Sequence, residues 1–276
     1  MHPILFKIGN FAIYSYGVVI AFSVLWVSFL ALRRGRKEGL DEEALLNIIF
    51  LVVISGLFGA RLLHILVHFS YYLHHPAEII AIRHGGMAAQ GGLIFGLIAG
   101  IIFLRRAKLP TLRVLDLFGL YFPLAQAIGR IGCFLNGCCY GKETDFFWAV
   151  RFPFDGVARH PTQLYYALVN FAIFLILLTF HPPQFPHLLS SPLEGEEGKV
   201  RGHQRGKRGE GSLLLLYFLL YSASRYALDF FRGDLEPIFL SLYPTQVISF
   251  FIFLIAGGLF VFQLMRDDRH SHDIPG

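Results

Sequence analysis

Charged residues are scarce in this chain: aspartate, glutamate, lysine and arginine together form 16% of its 276 residues. Hydrophobic residues form 55% of the chain, and its mean hydropathy is +0.56. These values exclude an ordinary soluble domain, in which about a quarter of the residues are charged. Several windows approach or pass the roughly 20 apolar residues that are needed to cross a bilayer. The sequence therefore predicts an integral membrane protein.

Cysteine is also scarce. The three cysteines, Cys133, Cys138 and Cys139, all lie within seven residues, which excludes the distributed disulfide framework of a small secreted domain. The net charge of +5 comes from short basic loops, so it reports membrane topology and we expect no nucleic-acid partner. No small-residue cleavage site follows an apolar core near the N-terminus, so we expect no cleaved signal peptide.

Seven apolar segments predict an all-α fold, a bundle of about seven transmembrane helices in a single transmembrane domain over residues 1–276. The predicted helices cover about 14–32, 44–67, 86–104, 112–135, 163–180, 212–231 and 243–265. Residues 1–13 are predicted to form a short amphipathic lead-in, and the polar segment 137–162 separates helices four and five. Residues 181–210 lack apolar periodicity and are predicted to form a flexible insertion.

Two patterns predict how these helices are arranged. Fifteen of the 24 lysines and arginines follow spans one, three, five and seven, whereas six lie on the opposite side. The positive-inside rule therefore places the N-terminus and segment 137–162 outside, and the C-terminus and segment 181–210 in the cytoplasm. In the third span Gly92, Gly96 and Gly100 recur every four residues, which predicts a smooth face for close helix packing.

Polar residues interrupt the predicted spans. A charge inside a hydrocarbon span costs about 2.5–3.5 kcal/mol on insertion scales, so by default it marks a functional site. Arg130 is such a charge near the end of the fourth span, although an arginine there could instead snorkel to the interface. In the second span Arg61 shares one helix face with two histidines. In the sixth span Arg225, Asp229 and Arg232 form one stripe at about 100° per residue.

The predicted topology brings these residues to one side of the membrane. Together with Tyr16 in the first span and Gln90 in the third, they gather in the outer half of the bilayer. Three arginines, Arg61, Arg130 and Arg225, face one intramembrane acid, so an anion must balance the excess charge. The guanidinium fork matches a phosphate group. The residues alone thus predict a protein that binds an anionic phospholipid from the outer side of the membrane. They leave open whether the protein also catalyses a reaction.

The segment Gly129–Gly141 resembles the signature of the bacterial prolipoprotein diacylglyceryl transferases, which reads roughly G-R-x-G-N-F-x-N-x-E-x-x-G. Further blocks follow in the family's order: Tyr16-Gly17, Gly59-Ala60-Arg61, Gly85–Gly92, Arg159–Tyr165 and Tyr221–Arg232. The resemblance covers nearly the whole chain except 181–210, and it implies the family's seven-helix fold.

The resemblance also implies a reaction. In this family the diacylglyceryl group of phosphatidylglycerol passes to the lipobox cysteine thiol of a preprolipoprotein at the bacterial plasma (inner) membrane. A thioether forms, glycerol phosphate leaves, and we expect neither a cofactor nor a metal. Arg130 and Arg225 match the family's catalytic arginines, which hold the phosphate and neutralise charge on the departing group. The expected substrate-binding residues are Arg130, Tyr16, Arg61, Gln90, Asn136, Arg225, Asp229 and Arg232.

The sequence departs from the family where the substrate thiol must be activated. The free thiol has a pKa near 8.5, so forming the thiolate requires help. The family's histidine in the third-span block is Gln90, which cannot act as a base. The other departures are Cys133 and Cys138 for Asn and Glu of the signature, Tyr166 for a Glu, and Asp229 for a Glu. His84 and His160 are candidate bases by location, but activation by the arginine charges needs no base, and we favour it.

Alternatives stay open at two points. For the cysteines, a metal site is disfavoured because C-x4-C-C is not a recognised ligand spacing. A disulfide from Cys133 to Cys138 or Cys139, a transient thiol carrier, or packing at a tight helix end are the other interpretations. For the whole chain, the alternative to the transferase is a non-catalytic phospholipid- or lipoprotein-binding protein on the same fold. Internally repeated halves would favour a transporter, and the sequence lacks them.

Overall fold

The structure is a computed structural model that describes residues 1–9, 11–80, 86–180, 209–235 and 242–272. The insertion predicted at 181–210 lies outside these residues except for its last two positions. The described chain forms two compact units, one made of residues 1–31 with 115–276 and the other of residues 32–114.

Helices dominate both units. In chain order they are α1 (Ser15–Lys37), α2 (Glu42–Val67), α3 (Phe69–His74), α4 (Ala89–Arg106), α5 (Thr111–Asn136), α6 (Thr162–Phe180), α7 (Ser212–Leu228) and α8 (Pro244–His272). Short 3-10 helices follow α3 and α7, at Pro76–Ile79 and Asp229–Phe231. The bounds agree with the predicted spans to within a few residues, except that α1 and α8 continue further toward their basic ends.

Among the described residues, six helices are long and apolar enough to cross a membrane: α1, α2, α5, α6, α7 with its 3-10 turn, and α8 as far as Arg266. Large apolar side chains such as Phe50, Phe251 and Phe262 are exposed on them, as lipid-facing positions require. The chain is therefore a multi-pass membrane protein.

The third predicted span corresponds to α4, which is not among those six. Between Gln90 and Arg105 this helix offers about 21 Å of apolar length at roughly 1.5 Å per residue. The hydrocarbon core of a bilayer is about 30 Å thick. A seventh span and the orientation of the termini therefore stay predictions.

The structure is mostly helical, as predicted, and it adds two small antiparallel sheets. Strands β1 (Ile4–Ile8) and β2 (Phe11–Tyr14) form a hairpin where the sequence predicted an amphipathic lead-in. Strands β3 (Val150–Arg151) and β4 (Ala158–Arg159) pair inside the polar segment between α5 and α6. Both hairpins are too short for a periodicity of two to be recognised in the sequence.

In the unit of residues 32–114, α2 and α4 pack with their backbones in near contact. A Cβ added at Gly92 would lie 3.0 Å from the Gly56 carbonyl oxygen, and one at Gly96 would lie 3.3 Å from the Val52 carbonyl oxygen. This confirms the predicted smooth face. The closest approach is at Gly91, where a Cβ would lie 2.2 Å from the carbonyl oxygen of Gly59.

Gly59→Ala is expected to destabilise this helix pair by about 1–3 kcal/mol, the usual cost of overpacking. The added Cβ would lie 2.4 Å from the Cβ of Phe95 and 2.6 Å from the Gly91 carbonyl oxygen, so the backbones must separate. Thermal unfolding of the detergent-solubilised protein measures the effect. The matched control is Gly258→Ala on α8, where nothing lies within 4 Å of the new carbon. An unchanged unfolding temperature for Gly59→Ala would contradict the close approach.

Arg61 of α2 ties the following segment to its own helix. Its Nε donates to the carbonyl of Ile79 (3.1 Å), Nη1 donates to Gly86 (2.9 Å) and Nη2 donates to Glu78. The guanidinium is buried and lies over the ring of Tyr72, 5.5 Å from its centroid. Arg61 therefore has a structural role in holding the chain before α4, and its predicted role in substrate binding stays a prediction.

In the other unit, α6 packs on α7 and α7 on α8, and α5 contributes a buried apolar face with Leu117, Leu120 and Ala127. Asp116 of α5 fixes the start of α7, because its carboxylate accepts from the backbone N–H groups of Gly211 (2.6 Å) and Leu214 (2.9 Å). A carboxylate is stabilised at a helix N-terminus, where backbone donors are unpaired and the dipole is positive. Asp116 is not among the residues predicted from the sequence.

Candidate functional site

Asp229 lies at the centre of a buried polar cluster. It begins the 3-10 turn after α7 and has no exposed surface. Its Oδ1 accepts a hydrogen bond from the Tyr166 hydroxyl, and its Oδ2 accepts one from the Thr245 hydroxyl. The Nε of Arg225 lies 3.7 Å from Oδ2. One carboxylate therefore connects α6, the end of α7 and the start of α8, and its charge is compensated as a buried charge must be.

Arg130 extends this cluster from α5. Its guanidinium carbon lies 4.5 Å from the centroid of the Tyr166 ring, with the cation over the aromatic face. Cation–π contact of this kind stabilises the position of an arginine without using its N–H donors. The contacts run from Arg130 through Tyr166 and Asp229 to Arg225. We call these residues with Thr245 the Asp229 cluster.

The structure thus brings together the two arginines that the sequence analysis expected to be catalytic. Arg225 is held by Asp229 on one side, and on the other its Nη1 donates to the Tyr221 hydroxyl at 3.0 Å. Its side chain is 19% exposed. Two side chains therefore orient Arg225, whereas the contact found for Arg130 among the described residues is that of its guanidinium plane with the Tyr166 ring.

The α-helical geometry assumed for the predicted stripe ends before Arg232. The α-helix ends at Leu228, and after the 3-10 turn the backbone at Arg232 is extended. The Arg232 side chain forms a bidentate ion pair with Asp234, at 2.8 Å and 2.6 Å. The predicted stripe assumed that α-helical geometry continued to this residue, and it left out Asp234. The extended backbone and the ion pair correct both points.

A backbone ladder holds Arg232 and His160 beside the end of α5. The Gly141 N–H donates to the His160 carbonyl (3.0 Å), and the Lys142 N–H donates to the Phe231 carbonyl (2.8 Å). A Cβ at Gly141 would lie 2.6 Å from the carbonyl oxygen of His160 and 2.8 Å from that of Phe231, so glycine is required there. The last glycine of the signature-like segment therefore allows this close approach of the backbones.

His160 is 8% exposed, and its Nδ1 lies 3.0 Å from the Tyr165 hydroxyl oxygen. That hydroxyl accepts from the Trp148 indole N–H at 2.5 Å, so its own proton is free to be donated to Nδ1. Burial lowers the pKa of His160 from its ordinary value of 6.5, which leaves the imidazole neutral at pH 7. The Nδ1 atom is therefore engaged by the Tyr165 hydroxyl, and the imidazole tautomer sets the direction of that hydrogen bond.

The three cysteines converge at the C-terminal end of α5. Their Sγ atoms all lie within 4.8 Å of one another, and each residue is half-buried with a free thiol. The side-chain amide of Gln163 donates to the carbonyl of Cys138 (2.7 Å), and the Thr162 hydroxyl donates to that of Cys139 (2.8 Å). The start of α6 thereby fixes the turn that carries the thiols.

The remaining predicted residues lie in different places. Tyr16 is at the start of α1, and a Cβ at Gly132 would lie 3.4 Å from its ring. Asn136 is the exposed last residue of α5. Arg61 and Gln90 belong to the unit of residues 32–114, and Gln90 is exposed in the first turn of α4. His84 lies outside the described residues. That all the outer-half residues form one site stays a prediction.

Comparisons with known proteins agree on one family. A sequence model described as Prolipoprotein diacylglyceryl transferase matches residues 3–262. The phosphatidylglycerol–prolipoprotein diacylglyceryl transferase of Clostridium tetani is 32% identical over 271 residues, which cover 96% of this chain and 98% of that protein. The proteins of the same name from Clostridioides difficile and Bacillus velezensis are 32% and 29% identical. The matches cover 94% and 98% of this chain, and 93% and 96% of those proteins.

Proposed function

The chain belongs to the prolipoprotein diacylglyceryl transferase family, and we propose that it transfers the diacylglyceryl group of phosphatidylglycerol to a cysteine thiol of prolipoproteins. The thiol is that of the lipobox cysteine, and the products are a thioether and glycerol phosphate. The relatives' shared name supports the substrates, and the similarity extends along nearly the whole of both chains.

The observation that carries the proposal is the set of contacts made by the Arg130 guanidinium. Tyr166 covers the plane of its guanidinium, and no hydrogen bond from its N–H donors is found among the described residues. Arg225 and Arg232, by contrast, already have carboxylate partners. The Arg130 guanidinium is half-buried, and the Tyr166 ring fixes its plane. Its N–H donors are therefore suited to a bidentate contact with a phosphate.

The charge change of the reaction explains why an arginine at the phosphate is catalytic. The thiolate sulfur attacks the glyceryl carbon that bears the phosphate ester, so an S–C bond forms and a C–O bond breaks. Glycerol phosphate leaves with the electron pair, and the phosphate charge grows from one toward two, since the second pKa of a phosphate monoester is about 6. Arg130 therefore stabilises the transition state more than the bound lipid. Tyr166 and Asp229 keep the guanidinium in place.

The proposal is tested with the purified full-length protein, phosphatidylglycerol vesicles and a synthetic lipobox peptide. We expect the peptide to gain the mass of the diacylglyceryl group while one glycerol phosphate is released for each peptide modified. Complementation of a strain depleted of its own transferase is the test in cells. Failure in both assays, with the protein folded and inserted, would contradict the function.

The pH dependence of the rate separates a histidine base from activation by charge. His160 is neutral at pH 7 because burial lowers its pKa, but Tyr165 occupies its Nδ1. We therefore expect the rising limb of the pH–rate profile to belong to the substrate thiol and to be the same in wild type and His160→Asn. A base at His160 would instead give a limb below 6.5, because its pKa lies under that value, and the limb would vanish in the variant.

We infer that the protein lies in the bacterial plasma (inner) membrane with its N-terminus and residues 137–162 outside and its C-terminus inside, as the excess of basic residues in alternate loops indicates. The Asp229 cluster then lies near the outer surface, where lipobox cysteines emerge. Reporter fusions that are active only outside or only inside, placed at residue 155 and at the C-terminus, test this topology. Activity of the same reporter at both positions would contradict it.

A further inference from the structure

The end of α5 brings three cysteine side chains together, those of Cys133, Cys138 and Cys139. Their spacing in the sequence matches no recognised metal-binding motif. The N–H of Cys138 donates to the carbonyl of Cys133 (3.2 Å), and the N–H of Gly137 donates to that of Phe134 (3.2 Å). These two bonds, with φ of +77° at Gly137, form a Schellman motif. In that motif the residue after the glycine contacts the residue five positions earlier, which here pairs Cys138 with Cys133.

Cys139 completes the group through an unusual backbone. Its φ is +61°, a left-handed conformation that is uncommon for a residue with a side chain. The Thr162 hydroxyl holds its carbonyl, and the Gln163 amide holds that of Cys138. Gln163 has no exposed surface. The turn is therefore fixed from the neighbouring helix, and all three Sγ atoms lie within 4.8 Å of one another.

We propose that the three thiols bind a Zn²⁺ ion and that its fourth position takes the thiol of the substrate peptide. Three sulfurs around a tetrahedral zinc at about 2.3 Å are roughly 3.8 Å apart, so the group needs to contract by about 1 Å at most. Within the part of the chain that the structure describes, the group offers three ligands. Three protein ligands and one open position are characteristic of catalytic zinc, whereas structural zinc has four.

The position of the three cysteines near Arg130 fits the binding of a substrate thiol. This role rests on the proposed function. Cys133 lies three residues after Arg130 on α5, a spacing that makes the two side chains neighbours on one helix face. A thiol at the metal would then lie next to the lipid phosphate held by Arg130. The cysteines are half-buried, so a peptide can reach them. Three thiolates and one zinc carry a net negative charge, which the neighbouring arginine stabilises.

The metal supplies the activation that Gln90 cannot. A thiol that coordinates zinc loses its proton, and that proton passes to solvent. The metal-bound sulfur then attacks the glyceryl carbon, the S–C bond forms, and the C–O bond breaks as glycerol phosphate leaves. No electron is gained or lost. The product thioether is neutral and binds the metal less strongly than the thiolate did, so the peptide can dissociate and leave the fourth position open.

The test uses Co²⁺ in place of zinc on the reduced full-length protein. We expect one equivalent to give the absorption of a tetrahedral thiolate site, and we expect that spectrum to change when the lipobox peptide is added. A peptide with serine for the lipobox cysteine should leave the spectrum unchanged. The variant C133S/C138S/C139S contains no cysteine and should give no thiolate absorption. Absence of the band in the wild type, or a band that the peptide does not alter, would overturn the proposal.

Activity gives the second measurement. Chelation should lower the rate of glycerol phosphate release by at least about tenfold, and stoichiometric Zn²⁺ should restore it. Full activity after the metal has been removed and its absence verified would overturn the metal role while the transferase function stands. If no preparation transfers diacylglycerol, the proposed function fails, and the cobalt spectrum still decides whether the site binds metal and thiol.

Discussion

Arg130→Lys is expected to lower kcat/KM for diacylglyceryl transfer by at least about 100-fold, the typical effect of removing one donor aimed at developing charge. Lysine keeps the positive charge but loses the planar fork that binds two phosphate oxygens at once. It also loses the flat face that lies on the Tyr166 ring. Glycerol phosphate release, with the lipid and the peptide varied separately, measures the effect.

The matched control is Arg151→Lys. Arg151 is an exposed arginine in β3 whose Nη1 donates to the Gly156 carbonyl at 3.0 Å, so the same chemical change is made away from the Asp229 cluster. We expect near-wild-type activity from this variant. If Arg130→Lys retained full activity, charge alone would suffice at this position, and the bidentate phosphate contact would be wrong.

Asp229→Asn is expected to have the largest effect on stability, about 3 kcal/mol. Removing one partner of a buried ion pair typically costs 3–5 kcal/mol. We expect the lower end because the Arg225 side chain is 19% exposed and lies 3.7 Å away. The amide nitrogen cannot accept a hydrogen bond, so either the Tyr166 or the Thr245 hydroxyl loses its acceptor. Thermal unfolding in detergent measures the change.

Asp145→Asn removes the same charge from an exposed residue of the polar segment and should leave the unfolding temperature within the error of the measurement. Activity should fall in Asp229→Asn at temperatures where the variant is still folded, because an asparagine with one acceptor oxygen holds the Tyr166 ring under Arg130 less firmly than the carboxylate. A folded variant with wild-type stability would show that Arg225 does not depend on this carboxylate.

The prediction of an anion site depended on counting charges, and the structure changes that count. Arg232 is paired with Asp234, and Arg61 donates to three backbone carbonyls. Arg225 shares Asp229 with two hydroxyls. Of these four arginines, Arg130 is the one whose contact among the described residues uses no N–H donor. A phosphate contact is therefore expected from Arg130 in particular and not from a general excess of positive charge.

The sequence analysis could not identify Tyr166 and Thr245 as partners of Asp229. Tyr166 was noted as a departure from the family, and Thr245 was not considered. Their hydroxyls meet one carboxylate because α6, α7 and α8 pack together, and helical periodicity describes only one helix at a time. The Arg232 error has the same origin, since the end of an α-helix depends on its surroundings as well as on its residues.

By itself the sequence determined that the chain is a multi-pass membrane protein, approximately where its long helices lie, and that Arg130 and Arg225 are residues of interest. Apolar length, isolated charges and ordered motifs are local properties, which the chain carries in any conformation. Only the tertiary structure decided which acid pairs with which arginine and that Tyr166 supports Arg130. It also decided that three thiols converge at the end of α5. These facts depend on distances between residues far apart in the chain and on two left-handed backbone positions, Gly137 and Cys139, which residue spacing does not specify.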